Sequence, residues 1–243
     1  MFKKKNILVV GDIMLDKYSH GNVSRISPEA PVPIVDIKKT IYKPGGASNV
    51  AQNLSALGMN VTLLGITGDD PELKELIKVI RHTNIRFDPV KDISIRTTLK
   101  SRIIGNDQHL MRLDHEDKNK SSMHNSLLNK LNKYIDNTDL IILSDYDKGT
   151  IKPIAKKIIN LANENNIKVI IDPKGIDYSI YKGAFLVKPN ELEFETIVGK
   201  PKNNKDMIQK GKELKDSLNL NALLLTLGKN GMILFDKKTV ITF

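Results

Sequence analysis

The 243-residue chain has no cysteine and no tryptophan, and its aromatic content is only 5%. Without cysteine there is no disulfide, no thiolate nucleophile and no cysteine-held zinc, which suits a reducing compartment; the expected location is cytoplasmic. The five histidines (His20, His82, His109, His115, His124) show no HExxH-type ligand spacing. No nucleophile elbow supports Ser–His–Asp chemistry. No apolar run is long enough to span a bilayer. The opening MFKKKNILVVGD is basic and then apolar, but the apolar run stops at Val10 and Asp12 follows, too short for a secretory core. The sequence therefore predicts no membrane partner and a buried first strand.

What is present is an ordinary globular balance, 40% hydrophobic and 27% charged, with a net charge of +10. That charge invites a nucleic-acid reading, but the lysines are scattered and there is no recognition-helix, zinc-finger or aromatic RNA-binding signature. Nucleic acid is not expected as a partner; phosphorylated small substrates suit a basic surface equally well.

Short β-branched runs alternate with amphipathic stretches. Strands are predicted at Ile7–Val10, Val61–Ile66, Leu140–Leu143, Lys168–Ile171, Ala184–Val187 and Ala222–Leu227. Helices are predicted from Gly46, Pro71 and Ile151, and after Asn190 and Lys205. This alternation is the signature of a mostly parallel sheet covered by helices. Two stretches break it: residues 17–42, punctuated by proline, and residues 93–113, rich in Thr, Arg and Ile. Both are expected to be strands of a small β lid beside a cleft. With no repeat and no low-complexity linker, residues 1–243 are expected to form a single domain; Asp114 to Ser122 reads as a charged loop.

Several motifs carry chemistry. GDIMLD places Asp12 and Asp16 just past the first strand, where open α/β sheets bind ligands, although acidic residues there also cap turns. KPGGASNVAQNLSALG puts Gly45 and Gly46 before a helix whose first turn holds Asn49, leaving bare backbone for an oxygen-rich partner or for close helix packing. Neither GxxxxGK[ST] nor a GxGxxG after the first strand is present. In KPNELE, Asn190 and Glu193 share a helix start and suit either hydrated Mg²⁺ or a helix cap. DPKG offers Lys174 to a phosphate, and TLGKNG is a turn for a nucleotide or merely a tight turn.

Taken in order, GDIMLD, KPGGASNVAQNLSALG, LIILSDYDKG, IDPKG, KPNELE and TLGKNG resemble the motifs of the ribokinase-like (PfkB) carbohydrate kinases over essentially the whole chain. The segment SRISPEAPVP narrows the resemblance to kinases that phosphorylate D-glycero-β-D-manno-heptose 7-phosphate at O1, in ADP-heptose and lipopolysaccharide core synthesis. The resemblance implies a three-layer α/β fold, ATP and Mg²⁺ as cofactors, and a homodimer through the lid strands. It implies a sugar site of Asp12, Asp16, Gly45, Gly46, Asn49 and Asp145, and a nucleotide site of Lys174, Asn190, Glu193, Thr226, Gly228 and Gly231, with Asn190 and Glu193 also serving the metal. Arg25, Arg102 and Arg112 on the lid strands are candidates for the 7-phosphate, because guanidinium forks match phosphate oxygens.

One departure bears on catalysis. The family carries a GAGD-type motif whose glycines form an anion hole and whose aspartate is the base, and none occurs before Phe243. The expectation is therefore an incomplete kinase domain with no catalytic base of its own, one sheet face uncovered, and very slow phosphoryl transfer unless a C-terminal segment complements it. The alternatives are a non-catalytic sugar-phosphate-binding or partner-binding remnant, and another sugar kinase of the same family.

Overall fold

A computed structural model describes residues 3–117 and 123–243. In chain order the elements are β1 (Asn6–Gly11), β2 (Ile13–Ile26), β3 (Pro33–Gly46), α1 (Ala47–Ala56), β4 (Asn60–Leu64), β5 (Ile66–Thr67) and α2 (Pro71–Ile80). There follow β6 (Ile85–Phe87), β7 (Val90–Lys91), β8 (Thr98–Gly105), β9 (Gln108–His115), α3 (His124–Asn132), β10 (Leu140–Ser144) and α4 (Ala155–Glu164). The last third holds β11 (Lys168–Asp172), β12 (Leu186–Val187), α5 (Glu191–Val198), α6 (Asn204–Ser217), β13 (Ala222–Thr226), β14 (Met232–Phe235) and β15 (Val240–Thr242).

The main sheet runs β15-β14-β13-β12-β11-β10-β1-β4-β6. From β13 to β6 every pairing is parallel; only β14 and β15 join antiparallel. Buried on both faces, β1 reads as a continuous apolar run, as strands of covered parallel sheets do. Helices α3–α6 cover one face, over Leu8, Ile141, Leu143, Val169, Ile171, Leu223 and Phe235. Helices α1 and α2 cover the other face, over Ile7, Val9, Val61 and Leu63. That second cover stops short. On the same face Ile170 pairs with Leu186 and, two residues along β13 from Leu186's partner Ala222, Leu224 pairs with Leu234. All four are only half-buried, and Ile241 opposite Leu234 is 42% exposed.

The lid is a second sheet, β3-β2-β8-β9. Its strands reach further into the motifs than expected: β2 begins at Ile13 and β3 ends at Gly46. Other boundaries also differ. The Val61–Ile66 run divides at Gly65, and the strand at 184–187 is only Leu186–Val187. The helix expected from Ile151 is preceded by a turn in which the Ile154 and Ala155 amides both donate to the Ile151 carbonyl, at 2.9 and 2.8 Å, and the regular helix begins at Ala155. Helix α3 was not signalled, since within it only Leu127 and Leu131 are buried. Asp114 and His115 belong to β9 rather than to a loop; Lys118 to Ser122 lie outside the described residues. Among the described residues no helix is long and apolar enough to cross a membrane.

Candidate functional site

From β1 the chain steps outward through β4 to β6, then returns to β10 on the other side of β1 and proceeds to β13. The order therefore reverses between β1 and β10, and the crevice beyond their carboxyl ends is where such sheets bind ligands. Asp12 follows β1, Asp145 follows β10, Asp172 closes β11, Asn190 follows β12 and Thr226 closes β13. The topology thus gathers nearly all the motif residues along one sheet edge.

At the β2–β3 end of the crevice, antiparallel pairing sets Met14 opposite Gly45 and Ile13 opposite Gly46. A Cβ on Gly45 would meet Asp16 Oδ2 at 2.8 Å. Gly46 has φ +55°, and its Cβ would meet the Asp12 carbonyl at 2.4 Å, so a side chain is excluded both by conformation and by space. The Asp12 carbonyl instead accepts from the Ala47 amide at 2.9 Å, fastening the start of α1 to the end of β1. Arg102 Nη1 donates to Asp16 Oδ1 at 2.6 Å, and its guanidinium lies 5.0 Å from the Tyr18 ring centre. Burial opposes the Arg102 charge, but Asp16 more than offsets this and its pKa is raised. Asn49, on the first turn of α1, is exposed.

Between the two ends lies a loop built around carboxylates. Asp12, 2% exposed, accepts from the backbone amides of Tyr146 (2.7 Å), Lys148 (3.1 Å) and Thr150 (3.2 Å). Asp145, 4% exposed, accepts the Asp147 amide at 2.8 Å and the Tyr181 hydroxyl at 2.6 Å. Asp147 takes φ +56°, which curls the segment so that alternate amides turn toward Asp12. Burial, reinforced by the neighbouring Asp12 and Asp147, pushes the Asp145 carboxyl up to about 6, against the pull of its two donors. Asp12 and Asp145, expected as sugar ligands, are thus occupied in shaping the loop. A buried carboxylate surrounded by backbone donors leaves little for a sugar hydroxyl to replace.

At the end of the crevice formed by β11–β13, Asn190 and Glu193 form a reciprocal capping box: Asn190 Oδ1 accepts the Glu193 amide at 2.8 Å, and Glu193 Oε2 accepts the Asn190 amide at 3.0 Å. Lys174 Nζ donates to Glu193 Oε1 at 2.9 Å, and Lys188 pairs with Asp172 at 2.8 Å. The donor set fits hydrated Mg²⁺: carboxylate and amide oxygens, each carboxylate balanced by a lysine that phosphate oxygens would also attract. Among the described residues no cluster of three or more His, Cys, Asp or Glu forms a ready metal cage. Thr226 bridges to Asn190 and bonds to the Pro189 carbonyl, which sets the turn holding Gly228 and Gly231 beside the capping box.

Two candidates are not brought in. Arg25 lies towards the far end of β2, on the order of 30 Å of extended chain from Asp16. Arg112 pairs with Asp114 at 2.9 Å and is half exposed, although it sits across from Arg102 in the β8–β9 ladder. Tyr146, Asp172 and Lys188 at the crevice, and Tyr181 buried behind it, are residues that sequence reasoning passed over. Tyr146 lies within the field of Asp172, Asp16, Glu193 and Asp12; burial first, then those carboxylates, raise its pKa. The signal available was position alone: each lies just past or between strands that end at the crevice.

Residues 4–243 match the pfkB family of carbohydrate kinases. The chain is 44% identical over 234 residues to the bifunctional protein HldE of Marinomonas sp. (strain MWYL1), covering 96% of this chain and 49% of that protein. It is 43% identical to HldE of Blochmanniella pennsylvanica (strain BPEN) with the same coverage. The chain thus spans about half the length of these curated relatives. Among solved structures, the tetrameric inhibited form of phosphofructokinase-2 from Escherichia coli superposes with a TM-score of 0.78 at 18% identity, over 99% of this chain and 79% of that one. Arabidopsis thaliana ribokinase complexed with ribose and ATP gives 0.72 at 17%, over 99% and 78%. At such identities these two likenesses speak for the fold.

Proposed function

The chain belongs to the pfkB family of carbohydrate kinases, and from that premise we propose that it is the O1-kinase unit for D-glycero-β-D-manno-heptose 7-phosphate, with ATP as donor, in cytoplasmic ADP-heptose synthesis for the lipopolysaccharide core. The observation that carries this reading is the arrangement at the crevice. The Asp16–Arg102 pair against Gly45 lies at one end and the Lys174–Glu193–Asn190 cluster at the other, with the Asp12-held loop between them. Similarity to HldE and the SRISPEAPVP segment support the heptose over other sugars.

In this reading Asp16, the Gly45–Gly46 backbone and Asn49 hold sugar hydroxyls, and Arg102 takes the 7-phosphate. Lys174, Thr226, Gly228 and Gly231 line the nucleotide. Asn190 and Glu193 would hold Mg²⁺ through water, and the bound ion supplies charge neutralisation between the phosphates. Most of the acceleration then comes from positioning and electrostatics in a site the lid screens from water. A homodimer through the lid belongs to the same reading; β9 is exposed along its whole length, with Leu110, Met111 and Leu113 at the surface.

One observation favours a second reading, binding without efficient transfer. Asp12, Asp16, Asp145, Asp147, Asp172 and Glu193 each already have a protein partner, so deprotonating the attacking hydroxyl requires one of them to exchange it or another polypeptide segment to supply a base. Phosphorus NMR of the chain with Mg·ATP and the heptose 7-phosphate separates the readings. Growth of an anomeric phosphate resonance together with ADP supports the kinase. Saturable binding without turnover supports the second reading, and neither would sink both. Competition with other sugar phosphates tests the choice of heptose.

A further inference from the structure

The loop 145–150 and the DPKG turn belong to different ends of the crevice, yet one side chain touches both. Tyr181, fully buried on the short helical turn Ser179–Tyr181, donates its hydroxyl to Asp145 Oδ2 at 2.6 Å. The same oxygen lies 3.5 Å from the Lys174 amide and 3.3 Å from the Lys174 carbonyl. The Lys174 side chain in turn holds Glu193 at 2.9 Å. In the other direction the Asp145 loop gives three amides to Asp12, at the end of β1 and one strand start away from Asp16.

We propose that Tyr181 is a positioning residue that couples the sugar-phosphate end of the crevice to the nucleotide end, through Asp145 on one side and the Lys174 backbone on the other. The proposal rests on the kinase-family reading of the two ends. Its physical basis is the single hydroxyl hydrogen. With Asp145 ionised, that hydrogen is committed to the carboxylate, and only an oxygen lone pair faces Lys174. With Asp145 protonated, the carboxyl donates to the hydroxyl, whose hydrogen turns to the Lys174 carbonyl. The DPKG turn therefore meets an acceptor in one state and a donor in the other. The groups facing Asp145 are Asp12 beyond β1, Asp147 in its own loop and Tyr181; Asp172 accepts the Asp145 amide through its backbone carbonyl.

Tyr178 provides a built-in control. Its ring packs edge-on against Tyr181 with centroids 5.5 Å apart, and its buried hydroxyl has no hydrogen-bond partner among the described residues. Tyr181→Phe and Tyr178→Phe remove the same atom from neighbouring rings, but only the first cuts the link.

The test is calorimetric titration of Mg·ADP and of the heptose 7-phosphate into the full 243-residue chain, each alone and each with the other saturating. Wild type is expected to bind the second ligand on the order of tenfold tighter than the first alone would allow. Tyr181→Phe is expected to retain both single affinities and reduce that factor to near one, and Tyr178→Phe to keep it. Carbon-13 NMR of the Asp145 carboxyl gives a readout independent of ligands: its titration midpoint moves up in Tyr181→Phe, because the carboxylate loses a donor, and stays in Tyr178→Phe. Full coupling in Tyr181→Phe, equal loss in both variants, or absence of coupling in wild type that binds both ligands overturns the proposal alone. Failure of wild type to bind either ligand overturns the kinase-family reading of the site and the proposal with it.

Discussion

Single carboxylates decide most of what the crevice can do, and their partners tell them apart. Asp145 is driven up to about 6 chiefly by burial. An acid whose folded pKa exceeds its unfolded value near 3.8 binds more protons in the native state, so between about pH 4 and 6 stability falls as pH rises. A shift of about two units corresponds to about 3 kcal/mol lost across that window. Asp145→Asn should flatten this slope, so urea midpoints of wild type and variant measured at pH 4 and pH 7 should change by different amounts. An equal change would mean Asp145 is ionised throughout. Arg102 is the contrasting case, partly exposed and paired with Asp16. Arg102→Ala should weaken heptose 7-phosphate binding tenfold to a hundredfold, about 1.5–3 kcal/mol, while leaving Mg·ADP affinity unchanged in the same calorimeter. Loss of both affinities would place the arginine's role in folding.

At the scale of elements, caps serve as fasteners between distant segments. Asp70 accepts the Leu73 amide at 2.9 Å to start α2, and its other oxygen accepts the Thr97 amide at 2.6 Å just before β8. Asp70→Ala removes a helix cap and leaves the amide of buried Thr97 unsatisfied, which should lower stability by about 2–4 kcal/mol. A melting point within a degree of wild type would contradict the double role. The α2 start was legible, since Asp70 precedes Pro71 and the apolar period follows. So were the parallel strands, because β-branched runs bounded by turn residues admit few alternatives. The α3 helix was not, as a half-polar surface helix carries little periodic signal. Nor was the role of Asp12: an aspartate after a strand looks the same whether it awaits a ligand or clamps a loop more than 130 positions away. Placement at the ends of the strands could be read from motif order, whereas partners required the fold.

For the molecule as a whole, the two faces of the main sheet are unequally covered. Ile170, Leu186, Leu224, Leu234 and Ile241 form an apolar row across β11–β15 with no described helix over it. Contiguous apolar surface of this kind binds dyes and neighbours. Anilinonaphthalene sulfonate should fluoresce with the native chain, and Leu224→Gln should reduce that signal at a stability cost of about 1 kcal/mol. Unchanged fluorescence would show that the dye sits elsewhere.

The continuity of β2 and β3 has a consequence for engineering. Each is a single ribbon of 14 residues that carries Asp16 or the glycine pair at one end and the lid at the other. The lid is therefore not a cassette that can be exchanged to retune specificity. A graft would have to splice through the ladder that sets Asp16 opposite Lys43 and Met14 opposite Gly45, and an odd-residue slip would turn each of those side chains to the opposite face. Directed evolution of this scaffold is better begun at β8, whose Arg102 reaches Asp16 from a strand outside the one that carries the glycines.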